Sequence, residues 1–229
     1  LLQPVPPAAV FMLLQGGWPA NLVMSTVVGS VNGLRNANGG LPADAGFREL
    51  VDALTRVQRI SGLAIRVEPR KDGSAVILSM RNPATTPELE ADSRRVRALL
   101  GLEEGANEFE VAYGLVPRDR REVAMLTRSM LEILLQLGVG VELSDAAQRR
   151  ALPFLRTGEE AVATGLVRIH SGPEMPADAY AAVSYKGHWY WIDDTDVGSK
   201  RNFTFLLILF SLAETGQSSA TPLVTVPSR

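Results

Sequence analysis

The chain contains no cysteine among its 229 residues, and this absence removes three kinds of site. A thiol nucleophile, a disulfide framework and a thiolate-bound metal all require cysteine. The absence of cysteine does not indicate the cellular compartment, because proteins of oxidising and of reducing compartments both occur without cysteine. The chemistry therefore has to be sought among carboxylates, imidazoles, hydroxyls and aromatic rings.

Neither sign of charge dominates, since 23 basic residues stand against 25 acidic ones and the net charge is -2. Basic and acidic residues interleave, so no basic stripe is present to neutralise a phosphate backbone. This pattern predicts no nucleic-acid partner. We also predict no cofactor, because residues 16–17 and 138–140 lack the glycine spacing of phosphate-binding loops.

Long hydrophobic runs are missing as well. The longest, residues 203–213, covers about half of the ~20 residues that a membrane helix needs, so it is predicted to form a buried helix. The first residues, Leu1 to Pro7, have no initiator Met and no positively charged stretch. We therefore expect the chain to begin inside a longer precursor.

What is present is ordinary globular composition, 46% hydrophobic and 21% charged. Hairpin and helix signals alternate irregularly, which argues against a doubly wound parallel sheet. We predict an α+β fold in which a mixed or antiparallel sheet, built from hairpins, packs against several amphipathic helices. Residues 1–229 are expected to form a single domain, with 101–107 as the place where it would divide.

Apolar periodicity and turn residues predict the individual elements. Residues 8–14 fit a strand or a helix. Helices are predicted at 18–34, 47–60, 87–101, 119–137 and 199–214, and strands at 63–68, 75–80, 108–113, 141–143, 166–170, 180–185, 188–192 and 223–226. Lys186-Gly187 lies between two predicted strands and indicates a tight hairpin.

An acidic turn follows this hairpin, with Asp193, Asp194 and Asp196 close to aromatic residues. It lacks the ligand spacing of a calcium loop. One interpretation is a catalytic carboxylate set, which would make the protein a hydrolase. The alternative is structural, because carboxylates at the start of a helix accept hydrogen bonds from its free N–H groups and complement its dipole.

Three aromatic residues, Trp189, Tyr190 and Trp191, lie in the second strand of the hairpin. Alternation places Trp189 and Trp191 on one face and Tyr190 on the other. The two indoles would cover the apolar helix, or they would form a platform for a glycan, a small ligand or a protein. Solvent accessibility of the rings separates these interpretations.

The two histidines, His170 and His188, are the remaining candidates for chemistry. His188 with Asp194 and Asp196 is the weak candidate for a metal site, because neither histidine has a partner at a standard ligand spacing. A structural or surface role is the plainer interpretation, and we predict no metal.

Residues 183–206, Val-Ser-Tyr-Lys-Gly-His-Trp-Tyr-Trp-Ile-Asp-Asp-Thr-Asp-Val-Gly-Ser-Lys-Arg-Asn-Phe-Thr-Phe-Leu, resemble an uncharacterised family of proteobacterial outer-membrane lipoproteins. Residues 17–23, 31–36 and 126–133 are similar to the same family. The resemblance implies a lipid-modified cysteine before Leu1 and a place on the periplasmic side of the outer membrane. It brings no catalytic residues with it.

We therefore expect a non-enzymatic accessory or scaffold protein of the cell envelope. It would bind other envelope proteins or itself, and it would meet the membrane only through a lipid anchor outside the given chain. The candidate binding residues are Trp189, Tyr190, Trp191, Asp193 and Asp194. The alternatives are a metal-assisted hydrolase using the aspartates and a glycan or small-ligand binder using the two tryptophans.

Overall fold

The computed structural model describes residues 2–38, 41–59, 63–70, 73–80, 87–142 and 166–215. Within these ranges the helices are α1 (Pro7–Gln15), α2 (Ala20–Val27), α3 (Ala45–Gln58), α4 (Pro87–Leu100), α5 (Met130–Val139) and α6 (Val197–Thr215). The strands are β1 (Val28–Val31), β2 (Leu34–Arg35), β3 (Leu63–Arg70), β4 (Gly73–Met80), β5 (Glu108–Tyr113), β6 (Glu122–Thr127), β7 (His170–Gly172), β8 (Ala179–Tyr185) and β9 (His188–Asp193). The predicted α+β class is confirmed.

The chain divides into two compact units, Leu1–Ile133 and Leu134–Arg229. The boundary falls within α5. The loop at residues 101–107 lies inside the first unit, between α4 and β5.

The first unit is built on a six-stranded mixed sheet with the order β2-β1-β6-β5-β4-β3. Neighbouring strands are antiparallel except β5 and β6, which are parallel. The strands predicted at 63–68 and 75–80 are β3 and β4, which pair antiparallel with Leu63 opposite Met80. The helix predicted at 47–60 is α3, and its apolar stripe, including Phe47, Leu50 and Leu54, is buried in the core of the unit.

The prediction of one helix over residues 119–137 is wrong. Residues 122–127 form β6, and the helix begins only at Met130. Strand β6 lies between β1 and β5, and five of its six residues are buried. A strand that is covered on both faces has a continuous apolar sequence, and such a run also satisfies helical spacing.

The prediction of one helix over residues 18–34 is also wrong, because α2 ends at Val27 and β1 follows directly. Asn32 and Gly33 have φ angles of 43° and 81° and make the turn between β1 and β2. Asn-Gly is the preferred pair for a two-residue hairpin turn, since both positions need positive φ. This signal was present in the sequence and outweighs the apolar spacing around it.

The second unit contains a three-stranded antiparallel sheet with the order β7-β9-β8 and the helix α6. Its most buried apolar side chains include Ile192 of β9 and Phe205, Leu206 and Leu209 of α6. The run at residues 203–213 is helical as predicted, but only one side of it is buried. Leu207 and Ile208 on the other side are exposed.

Several further predictions have definite outcomes. Residues 8–14 are helical, in α1. The strand predicted at 166–170 begins only at His170, and Val141 makes a single parallel bridge to Ile169. The strand predicted at 223–226 lies outside the described residues. Among the helices that the structure describes, none is long and apolar enough to cross a membrane.

Candidate functional site

The β8–β9 hairpin is the centre of the second unit and carries the predicted aromatic residues. Lys186 and Gly187 have φ angles of 52° and 76°, which are the paired positive values of a type I′ turn. The register runs from Tyr185 opposite His188 to Ala181 opposite Ile192. The predicted hairpin is therefore confirmed, together with its two-residue turn.

The two tryptophans lie on one face of the sheet, as alternation predicts, and Tyr190 lies on the other. Ile192, the most buried residue of β9, shares the face of Tyr190 and not that of the tryptophans. Both tryptophans are half-buried. Their side chains are neither fully buried in the core nor fully exposed to solvent.

Trp191 owes its position to the short strand beside it. A side chain at Gly172 would place its Cβ 3.2 Å from the indole ring, so the glycine leaves room for the ring to lie over β7. The ring of His170 is 5.7 Å from the Trp191 ring, centroid to centroid, and its Nδ1 is 2.8 Å from the Glu142 carboxylate. His170 therefore has a structural setting between a carboxylate and an indole.

Tyr180, at the start of β8, packs against α6. The register of β8 shifts between Ala179 and Ala181, so Tyr180 is the extra residue of a bulge. Its hydroxyl is 3.1 Å from Thr204 Oγ1, its ring meets Phe203 edge to face, and Lys200 Nζ lies 5.0 Å from its ring centroid. The bulge thus places one aromatic ring against the helix.

The three aspartates have separate local partners. Asp196 precedes α6 and accepts hydrogen bonds from the backbone N–H of Ser199 at 3.0 Å and from its hydroxyl at 2.7 Å. These bonds hold the pKa of the Asp196 carboxyl below its ordinary value. Asp196 is the residue that caps the helix, as the structural interpretation of the acidic turn predicts.

Asp193 closes the turn before the helix. One carboxylate oxygen accepts 2.7 Å bonds from both the hydroxyl and the N–H of Thr195, which lowers the pKa of Asp193. The Asp194 carboxylate forms a 2.7 Å ion pair with Lys200 of α6. Asp193 stabilises the turn, Asp194 forms the ion pair and Asp196 caps the helix. Each carboxylate therefore has its own local structural role.

His188 stands at the other end of β9 from the aspartates. Five residues along a strand span about 16 Å, so His188 is far from Asp193 and the residues that follow it. Across the described ranges, no three side chains of His, Asp or Glu are grouped so as to hold a metal ion. The weak metal candidates His188, Asp194 and Asp196 are thus not brought together.

The structure adds a feature that sequence reasoning did not find, the open edge of β8. Among the strands that the structure describes, β8 ends the order β7-β9-β8, so one row of its N–H and C=O groups faces away from the described strands. Val183 and Tyr185 are 60% and 59% exposed. Residues 179–185 include no charged residue and no proline.

The other sheet edges in the described part of the chain differ from β8. Strand β3 is one residue longer than β8, but it carries Arg66, Glu68 and Pro69, which discourage pairing with another strand. Strands β2 and β7 have only two and three residues. We define the open β8 edge as the outward backbone of residues 179–185 with the exposed side chains of Val183 and Tyr185.

A charged groove in the first unit is the other surface feature. It is lined by residues that include Arg66, Glu108, Arg118 and Glu122. Arg66 binds Glu108 through two hydrogen bonds of 2.6 and 2.9 Å, and Arg118 binds the buried Glu122. Both arginines are thus already engaged by carboxylates of the groove, so they are less available than the open β8 edge to recognise a partner.

Comparison of the chain with models of protein families, with curated proteins and with solved structures found no match. Function is therefore inferred from the geometry of the second unit.

Proposed function

We propose that the protein is a non-enzymatic accessory or scaffold protein of the cell envelope that binds other proteins through the open β8 edge. The observation that carries the proposal is that a seven-residue edge strand exposes uncharged, β-forming side chains. Such an edge is a template on which another polypeptide adds a strand.

The hairpin turn determines which backbone N–H and C=O groups of β8 face the open β8 edge. In a two-residue type I′ hairpin the residues that flank the turn form a hydrogen-bonded pair. Tyr185 and Val183 therefore bond to β9, while Ala182 and Ser184 direct their N–H and C=O groups to the open β8 edge. A partner strand would pair with these groups and contact the side chains of Val183 and Tyr185 on one face.

The partners of the acidic residues support a binding role more than a hydrolytic one. A hydrolase needs carboxylates that converge on a substrate. Asp193, Asp194 and Asp196 instead bond to Thr195, Lys200 and Ser199 respectively. These contacts rigidify the connection between β9 and α6, which fixes the hairpin on the unit.

The envelope location within the proposal rests on the resemblance of residues 183–206 to outer-membrane lipoproteins. That stretch includes the end of β8, the whole of β9 and the first half of α6. A lipid-anchored protein would present the open β8 edge to other proteins on the periplasmic side of the membrane.

Site-specific photo-crosslinking in the native host tests the proposal. A photoreactive phenylalanine analogue at Tyr185 should give protein adducts in the envelope fraction. The matched control carries the analogue at Tyr113, which is 55% exposed and lies in the first unit. A Val183→Lys change combined with the probe at Tyr185 should remove the adducts, because a charge at the edge opposes strand pairing.

Equal adduct yields from Tyr185 and Tyr113, or no adduct from either, would contradict binding at the open β8 edge. Adducts that appear only in the cytoplasmic fraction would contradict the envelope location and leave the binding surface intact.

A further inference from the structure

We infer that the strand received by the open β8 edge is β8 of a second copy of this chain, paired antiparallel across a two-fold axis near Ala182. This inference rests on the proposed function and names the partner. The two three-stranded sheets would then join into one sheet of six strands.

Charge at the two ends of β8 carries the inference. Asp178 immediately precedes the strand, and Lys186 immediately follows it. Both side chains are exposed. Antiparallel pairing about Ala182 places the strand end that carries Asp178, beyond the bulge at Tyr180, near the Lys186 end of the other copy, whereas parallel pairing would bring like charges together.

Local charge at the same ends strengthens this complementarity. The backbone N–H of Asp194 approaches the Asp178 carbonyl at 3.5 Å, so the acidic turn lies at the Asp178 end of the strand. At the other end Lys186 lies in the turn, with its Nζ 5.2 Å from the ring centroid of Tyr185. The hairpin is therefore acidic at one end and basic at the other, which favours the reversed orientation of a second copy.

The backbone and the side chains also fit this arrangement. Ala182 is one of the residues whose N–H and C=O face the open edge, so two copies of Ala182 would form a hydrogen-bonded pair at the axis. Val183 of one copy would then lie opposite Ala181 of the other. A large side chain opposite a small one lets neighbouring strands approach without a clash.

Cysteine cross-linking tests the axis directly, because residues 1–229 contain no cysteine to interfere. Ala182→Cys should form a disulfide-linked dimer under mild oxidation, since paired Cα atoms about 5.5 Å apart suit a disulfide. The matched control is Val197→Cys, a 73% exposed position at the start of α6. We expect cross-linking at least tenfold faster for Ala182→Cys, and equal rates would overturn the inference.

The mass in solution tests the dimer without any cysteine. The unmodified 24.7 kDa chain should sediment at twice its own mass at micromolar concentration. Val183→Lys should sediment as a monomer with an unchanged circular dichroism spectrum. A monomeric unmodified chain at the highest soluble concentration overturns self-pairing. Adducts from Tyr185 to a different protein would still uphold the proposed function.

Charge reversal tests the orientation. Asp178→Lys and Lys186→Asp should each weaken the dimer about three- to tenfold, because each creates like-charge contacts at both ends of the interface. Aspartate is tolerated at position 186, where φ is positive. The double variant should recover the dissociation constant of the unmodified dimer. Failure of that recovery in a stable dimer overturns the antiparallel arrangement.

Discussion

Replacing Gly140 by alanine should destabilise the second unit because the chain passes very close to that glycine. A Cβ at position 140 would lie 1.8 Å from the carbonyl oxygen of Val167. An ordinary carbon–oxygen contact is about 3.4 Å. The backbone would therefore have to move apart by about 1.6 Å to admit one methyl group.

The movement would break the contacts that attach the end of α5 to the segment leading into β7. Ile169 donates to the Gly140 carbonyl at 2.8 Å, and Glu142 donates to the Ile169 carbonyl at 2.8 Å. Overpacking costs about 1–3 kcal/mol, and each lost backbone bond costs about 0.5–1.5 kcal/mol. We expect a loss of about 3 kcal/mol in the free energy of unfolding.

Urea unfolding followed by circular dichroism measures this loss. With a slope of about 2 kcal/mol per molar urea, a loss of about 3 kcal/mol lowers the midpoint by about 1.5 M. Gly114→Ala is the matched control, because a Cβ at Gly114 meets nothing within 4 Å. A Gly140→Ala midpoint that coincides with that of Gly114→Ala would refute the close approach of the two segments.

Two further predictions concern the cap of α6 and the junction of α1 and α2. The folded-state pKa of Asp196 is lowered, so its stabilising effect is present at neutral pH and is lost as the pH falls below about 4. Asp196→Ala should therefore cost about 1 kcal/mol at pH 7 and much less at pH 2, as measured by urea unfolding at both values. A cost that is equal at both pH values would contradict this role of the carboxylate. Gln58 donates through Nε2 to the carbonyls of Leu14 and Trp18 and accepts from another backbone N–H. Gln58→Glu turns a carboxylate toward two carbonyls and should cost about 2–3 kcal/mol in thermal or urea unfolding, while Gln3→Glu at an exposed position should cost almost nothing.

The elements that the sequence predicts correctly are those with local causes. The stripe of α3 needs only helical spacing of its apolar residues. The β8–β9 turn needs only Lys186 and Gly187, since positive φ at both positions selects the hairpin. The cap of α6 needs only Asp196 placed three residues before Ser199. Each of these depends on residues that are neighbours in the chain.

The failures have non-local causes. Apolar spacing at residues 122–137 fits a helix, and only the position of β6 between β1 and β5 makes the first part of it a strand. Gly140 looks like ordinary helix punctuation, yet its lack of a side chain is needed for a segment 27 residues later in the chain, at Val167. No local sequence pattern indicates that the backbone at Val167 comes this close to Gly140.

The open β8 edge has a local cause and a non-local one. Its uncharged sequence is local, but its exposure depends on how the strands of the sheet pair. Residues 179–185 are uncharged, but so are residues 123–127 of the central strand β6, where lack of charge simply reflects burial. In β8 the same property is exposed, because β9 is the one described strand that pairs with β8. The long-range pairing of His170 with Trp191 and its neighbours covers the other side of β9, so the edges of this sheet are the three-residue β7 and the seven-residue β8. A variant that displaces β7, such as Gly172→Val against the Trp191 ring, should disturb the sheet while leaving the Lys186-Gly187 turn intact.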